Sequence, residues 1–74
     1  MNNNNNVLGE RLYTARRQRS LSRQKLADSA QVTASCIKKW EEGQNSPNVY
    51  SLIRMADILN VSIDWLCGRE RYIK

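Results

Sequence analysis

The sequence predicts an all-α fold, a compact bundle of five short helices in one domain, on three observations. Apolar residues recur three and four apart, the helical spacing, with no sustained alternation of the kind a strand needs. The segments so marked are bounded by residues that start or stop helices: Ser22, Thr33, Asn48 and Ser62 ahead of them, Gly43 and Gly68 behind. The chain has 74 residues, close to the size at which a single core is marginal, so helices with short connections are the economical solution and no second domain fits.

Residues 1–6 form an Asn-rich tail, polar and without periodicity, expected to be disordered and assigned no function. Helix 1 is predicted from Val7 to Gln18, with Leu8, Leu12 and Ala15 on one stripe and Arg11, Arg17 and Arg19 mostly off it. Ser22 caps helix 2, Arg23 to about Ser29, whose buried face is Leu26, Ala27 and Ala30. Ala27 has a steric role, because two helices crossing steeply across a tight turn bring their backbones close. Thr33 caps helix 3, which runs to about Glu42 and ends at Gly43 in the left-handed conformation. Gln44, Asn45, Ser46 and Pro47 are turn formers, and Asn48 caps helix 4, where Val49, Leu52, Ile53, Ala56 and Leu59 repeat at helical spacing as the main core helix. Ser62 starts a last short helix carrying Ile63, Trp65 and Leu66, with Gly68 as its stop. Residues 7–68 are thus the folded domain, and residues 69–74 a basic, aromatic tail.

Helix 3 divides into two faces. Ile37 and Trp40 fall on one side, leaving Ala34, Ser35, Lys38 and Lys39 outward. A short helix anchored by its back and presenting small, polar and cationic side chains is what entry into a DNA major groove requires. Charge agrees: the net charge is +5, but Arg11 to Lys39 holds eight Lys or Arg against one acid, Asp28, while the remainder is net negative. A regional excess of that kind suits a polyanion-binding face; its plain alternative is a solvated basic surface. Cys36 and Cys67 are too few for a disulfide framework, and with no histidine a Cys/His zinc site cannot be built, so no metal and no cofactor are expected. No apolar run approaches the roughly 20 residues of a membrane span and the start lacks a secretory signal, so a cytoplasmic protein is expected. Enzyme chemistry is disfavoured by the absence of histidine, of a glycine-rich phosphate loop and of volume for a substrate cleft.

The segments LGERLYTARRQRSLSRQKLA, VTASCIKKWEEG and NSPNVYSLIRMADILNVSIDWLCG, taken together, resemble the helix-turn-helix family of phage repressors, Cro proteins and their bacterial relatives, the Xre family. The resemblance spans Leu8 to Gly68. It implies a bundle of the lambda-repressor type in which helices 2 and 3 form the helix-turn-helix. Helix 3 would be the recognition helix and helix 2 would cross the phosphate backbone. Dimers would bind operator half-sites roughly 34 Å apart. By matching positions, Ala34, Ser35 and Lys39, with Lys38 adjacent, would meet bases, and Thr33 a phosphate. Arg23 stands where the family usually has a glutamine that contacts a phosphate and braces the recognition helix. Gln31 stands where the family favours glycine, so a left-handed backbone there would carry about 1 kcal/mol of strain. Ala34 replaces a longer polar residue and can offer only apolar contact, as with a thymine methyl. The resemblance also implies an ion pair between Arg16 and Glu41 that ties helix 1 to the end of helix 3.

Phosphate contacts would supply most of the affinity, from Arg23, Gln24, Lys25 and the free amides of the helix starts, with Gln44, Asn45 and Ser46 beyond helix 3 either adding to them or forming an ordinary polar turn. Lys39 or Lys38 can donate to guanine O6 and N7, and Ser35 to either partner. The expected partner is a double-stranded operator bound by a homodimer. The competing class is a protein-interaction module, an antitoxin or an adaptor of the same fold. Trp40 belongs to the core. Trp65 either completes the core, the preferred assignment, or lies with Ile63, Leu66, Tyr72 and Ile73 at a dimer surface. Cys36 is a small packing residue.

Overall fold

A computed structural model of the chain describes residues 6–69. Among them are five helices and no strand: α1 (Val7–Gln18), α2 (Arg23–Ala30), α3 (Ala34–Glu41), α4 (Val49–Leu59) and α5 (Ile63–Leu66). Class, number and order are those expected. Most of both tails, including Tyr72 and Ile73, lies outside the described residues. Asn6 and Arg69, at the inner ends of the two tails, are described: Asn6 leads directly into α1 and its side-chain amide reaches toward the Glu41 carbonyl at 3.5 Å, and the Arg69 amide donates to the Asp64 carbonyl at 2.8 Å.

The helix starts follow from side-chain chemistry. Ser22 Oγ accepts from the Lys25 amide at 3.0 Å, Thr33 Oγ1 from Cys36 at 3.2 Å, Asn48 Oδ1 from Ser51 at 2.9 Å and Ser62 Oγ from Trp65 at 2.9 Å. Each bond satisfies an amide that has no carbonyl partner within its own helix. The helix ends share one device. Ser20, Gln31, Gly43, Asn60 and Gly68 all have φ between 58° and 77°. The next amide then reaches back five residues, Leu21 to Arg16, Val32 to Ala27, Gln44 to Lys39, Val61 to Ala56 and Arg69 to Asp64, at 2.8–3.1 Å. This closure, in which a left-handed residue turns the chain so that late carbonyls are satisfied, suits glycine best. Three of the five positions here carry a side chain instead. The expectation at Gln31, φ 64°, is met; the closures at Ser20 and Asn60 were not foreseen.

The core draws on every helix: Leu12 and Ala15, Leu26, Ala27 and Ala30, Ile37 and Trp40, Met55, Ala56 and Leu59, and Leu66 are all buried. α2 packs on α3 and α4, α1 on α3 and α5, and α5 on α4. Ala27, fully buried on the helix that meets both α3 and α4, occupies a place where only a small side chain is compatible with close helices. A second close approach went unnoticed in the sequence: a Cβ on Gly9 would lie 2.6 Å from the backbone oxygens of both Trp40 and Glu41, so α1 seats against the end of α3 only because residue 9 has no side chain.

α4 corrects the expectation. Ala56 and Leu59 are buried and Leu52 is half-buried, but Val49 and Ile53 are 57% and 41% exposed, and Ser51 and Met55 take the inner positions instead. The apolar residues of α4 cover a wider arc than its neighbours α2 and α5 can shield, and periodicity alone did not identify which part of that arc faces inward. Trp65 is half-buried against the core, with the Arg11 guanidinium 5.0 Å above its ring and Arg11 Nη1 donating to its carbonyl at 2.7 Å.

Candidate nucleic-acid interface

α3 is fixed from behind by Ile37, fully buried, and Trp40, 8% exposed. With those two directed inward, the 3.6-residue turn forces Ser35, Lys38 and Lys39 outward, and all three are exposed. Ala34 and Cys36 lie at the margin, half-buried and packed on the core. Ala34, Ser35, Lys38 and Lys39 therefore occupy one face, residues 34 and 38 and residues 35 and 39 standing a turn apart. Lys38 also carries an i,i+4 ion pair with Glu42, Nζ to Oε2 3.4 Å, between two exposed side chains. Such a pair is worth at most about 1 kcal/mol in water and yields readily to a phosphate or base acceptor.

The positions expected to meet phosphates lie on the elements that adjoin α3 in sequence and are themselves exposed. Thr33, the cap of α3, is exposed, and so are Gln24 in the first turn of α2 and Gln44 and Asn45 in the turn after α3. Two of these side chains have internal partners: Gln24 Nε2 donates to Asp28 Oδ1 at 2.8 Å and Gln44 Nε2 to Glu42 Oε1 at 2.8 Å. Both bonds are on the surface, where exchange for another acceptor costs little. The turn between α2 and α3, Gln31 to Thr33, sets the two exposed faces side by side through the left-handed Gln31 and the Val32 to Ala27 bond of 3.0 Å.

Beneath the face is a charge cluster. The Glu41 side chain is 2% exposed and accepts from Arg16 Nε at 2.6 Å, Arg16 Nη2 at 3.2 Å and Arg23 Nε at 3.0 Å. Arg16, 8% exposed at its side chain, also donates from Nη1 to the Leu21 carbonyl at 2.8 Å. A carboxylate removed from water is tolerable only when its lone pairs are met by donors, and here two guanidinium groups meet them. The Arg16 bond was expected. For Arg23 the resemblance implied a brace on the recognition helix without naming its partner, and the structure gives that partner as Glu41, the last residue of α3.

Cys36 lies beside this face. Its thiol is held below the ordinary cysteine pKa, first by a hydrogen bond with the Thr33 side chain, then by the Thr33 backbone, with a smaller contribution from the Lys39 ammonium and a partial offset from desolvation. Among the described residues no group of three or more His, Cys, Asp or Glu could hold a metal ion.

The profile of the helix-turn-helix family matches residues 12–66, which hold the whole of α2, α3, α4 and α5 and the C-terminal part of α1. Among curated proteins, the chain is 37% identical over 60 residues to the cryptic phage CTXphi transcriptional repressor RstR of Vibrio cholerae, an alignment covering 81% of this chain and 54% of that protein. It is 34% identical over 64 residues to the transcriptional activator BcrR of Enterococcus faecalis, covering 86% of this chain and 31% of the activator. The chain thus spans about half the length of RstR and about a third of BcrR. Among solved structures, the P22 c2 repressor in complex with a synthetic operator superposes with a TM-score of 0.81 at 26% identity, covering 84% of this chain and 94% of that one.

Proposed function

We propose that this chain, which belongs to the helix-turn-helix family, is a sequence-specific double-stranded DNA-binding transcriptional regulator that places α3 in the major groove and acts as a repressor. The observation that carries this is the two-sided character of α3. Ile37 and Trp40 lock one side into the core while Ser35, Lys38 and Lys39 project into water on a basic part of the surface. The likeness to a repressor solved with its operator, and to a repressor of a cryptic phage, supports the same reading.

In this reading Lys39 and Lys38 donate to guanine O6 and N7, Ser35 donates or accepts, and Ala34 gives apolar contact. Arg23, Gln24, Thr33, Gln44 and Asn45 hold phosphates, setting the register in which α3 is presented. One such module makes few base contacts, so we further propose a homodimer on an operator with twofold symmetry, which doubles them. Val49, Tyr50, Ile53 and Ile63 are 57%, 69%, 41% and 37% exposed, so α4 and α5 have apolar side chains available to a second copy. Among the described residues no helix is long and apolar enough to cross a membrane, and we place the protein in the cytoplasm.

Selection of bound duplexes from a random pool tests the proposal. A recovered consensus made of two inverted half-sites about one helical turn apart is the expected result. Binding without any consensus at low salt would remove the claim of sequence reading and favour an adaptor or antitoxin that grips another protein.

A further inference from the structure

We infer that Glu41 is a positioning residue for Arg23, holding its guanidinium in a fixed pose in the absence of DNA so that it meets a phosphate already ordered. The inference rests on the proposal that Arg23 is a phosphate contact and deepens it by naming what orients that contact. Arg16 and Arg23 both bind Glu41 but in different ways. Arg16 commits all three of its nitrogens, two to the carboxylate and one to the Leu21 carbonyl, within the interior. Arg23 commits only Nε, at 3.0 Å, and none of the hydrogen bonds among the described residues uses its two terminal nitrogens. Its side chain is 36% exposed where that of Glu41 is 2% exposed. Arg23 is therefore anchored through Nε on a buried carboxylate, while its side chain as a whole keeps about a third of its surface in solvent at the start of α2.

The charges add a reason. Glu41 lies between two guanidinium groups, and Arg16 alone neutralises it, so the positive charge of Arg23 is not consumed by the pair. The anchor also spans the motif: Arg23 is the first residue of α2 and Glu41 the last of α3. A phosphate held by Arg23 would thus be fixed in position relative to the far end of the recognition helix. Arginine suits this role and lysine does not, because only a guanidinium can bind an internal acceptor through Nε while its terminal nitrogens remain outward.

The test is a double-mutant cycle on binding to the selected operator at fixed salt, each variant first shown by thermal unfolding to be folded. Arg23→Lys keeps the charge and leaves the Arg16 pair with Glu41 in place. It should weaken binding roughly three- to tenfold, the cost of ordering one long side chain on binding. Glu41→Gln removes a negative charge, which on charge alone should tighten binding to DNA; loss of the anchor predicts weakening instead. In the Glu41→Gln background the Arg23→Lys change should alter affinity by less than about twofold, since the ordering step is then no longer prepaid by folding. A tighter Glu41→Gln complex, or an Arg23→Lys effect of the same size in both backgrounds, overturns the inference. Should Glu41→Gln fail to fold, proton exchange at Arg23 Nε decides: slow exchange in the DNA-free protein supports the anchor, and protection that arises only when duplex is added refutes it. Absence of wild-type binding to any duplex would instead defeat the DNA-binding proposal itself, leaving the exchange measurement to judge the anchor alone.

Discussion

Lys39 and Arg23 are both cations at the edge of the helix-turn-helix, one exposed on α3 and the other anchored at the start of α2. If the first meets a base and the second a phosphate, their removal should fail in different ways. Lys39→Ala is expected to weaken operator binding by about 1–3 kcal/mol and to relax preference at one or two base positions. Arg23→Ala should weaken all sequences alike and reduce the salt slope by about one per monomer. Affinity measured on the consensus and on single-base variants, across a salt series, separates the two. Cys36 gives a prediction with a definite sign. Its lowered pKa means a larger thiolate fraction at a given pH than an ordinary cysteine has, so in a Cys67→Ser background its alkylation should begin to accelerate at lower pH than that of the unfolded chain. Saturating operator should slow that reaction, because Cys36 borders the proposed contact face. At Gln31, φ 64°, and Ser20, φ 58°, a side chain occupies a conformation that glycine enters without strain. Either residue changed to glycine should raise stability by about 0.5–1 kcal/mol, read from urea unfolding midpoints at constant slope.

At the scale of the helices, the parts that were legible in the sequence are those governed by local chemistry. Ser22, Thr33, Asn48 and Ser62 cap their helices as their hydroxyl or amide oxygens allow, and the inward stripes of α1, α2 and α3 follow from spacing alone. α4 was legible as a helix but not in its orientation. Val49 and Ile53 are as apolar as the residues that are buried, and only the positions of α2 and α5 decide which arc is covered. The seat of α1 on α3 was hidden for a similar reason, since nothing near Gly9 in sequence shows that the Trp40 and Glu41 carbonyls approach it. Gly9→Ala should therefore lower stability by about 1–3 kcal/mol, as overpacking against backbone does, although alanine is the better helix former. A thermal melt of that variant is the check, and an unchanged midpoint would mean that the two helices sit further apart.

For the molecule as a whole, the charge along the chain is uneven, with eight Lys or Arg against one acid from Arg11 to Lys39, and the structure divides those cations in a way the sequence does not show. Arg16 is buried and committed to Glu41 and Leu21, and Arg11 binds the Trp65 carbonyl, while Lys25, Lys38 and Lys39 are exposed, Lys38 with only a surface pair to Glu42. Part of the basic excess thus holds the bundle together and part is available to a polyanion. The candidate base-facing residues were legible because Ile37 and Trp40 fix the rotation of α3. The partner of Arg23 was not, because residues 18 apart are paired by how α2 and α3 pack and no local rule names Glu41. In the proposed complex α3 lies in the major groove with Lys39 toward a guanine. Methylation interference on the selected operator tests this placement most directly, since guanine N7 lies in the major groove and adenine N3 in the minor. Interference is expected at guanine N7 within each half-site, with one such position lost in the Lys39→Ala protein. Interference confined to adenine N3, or a guanine pattern that Lys39→Ala leaves unchanged, would contradict it.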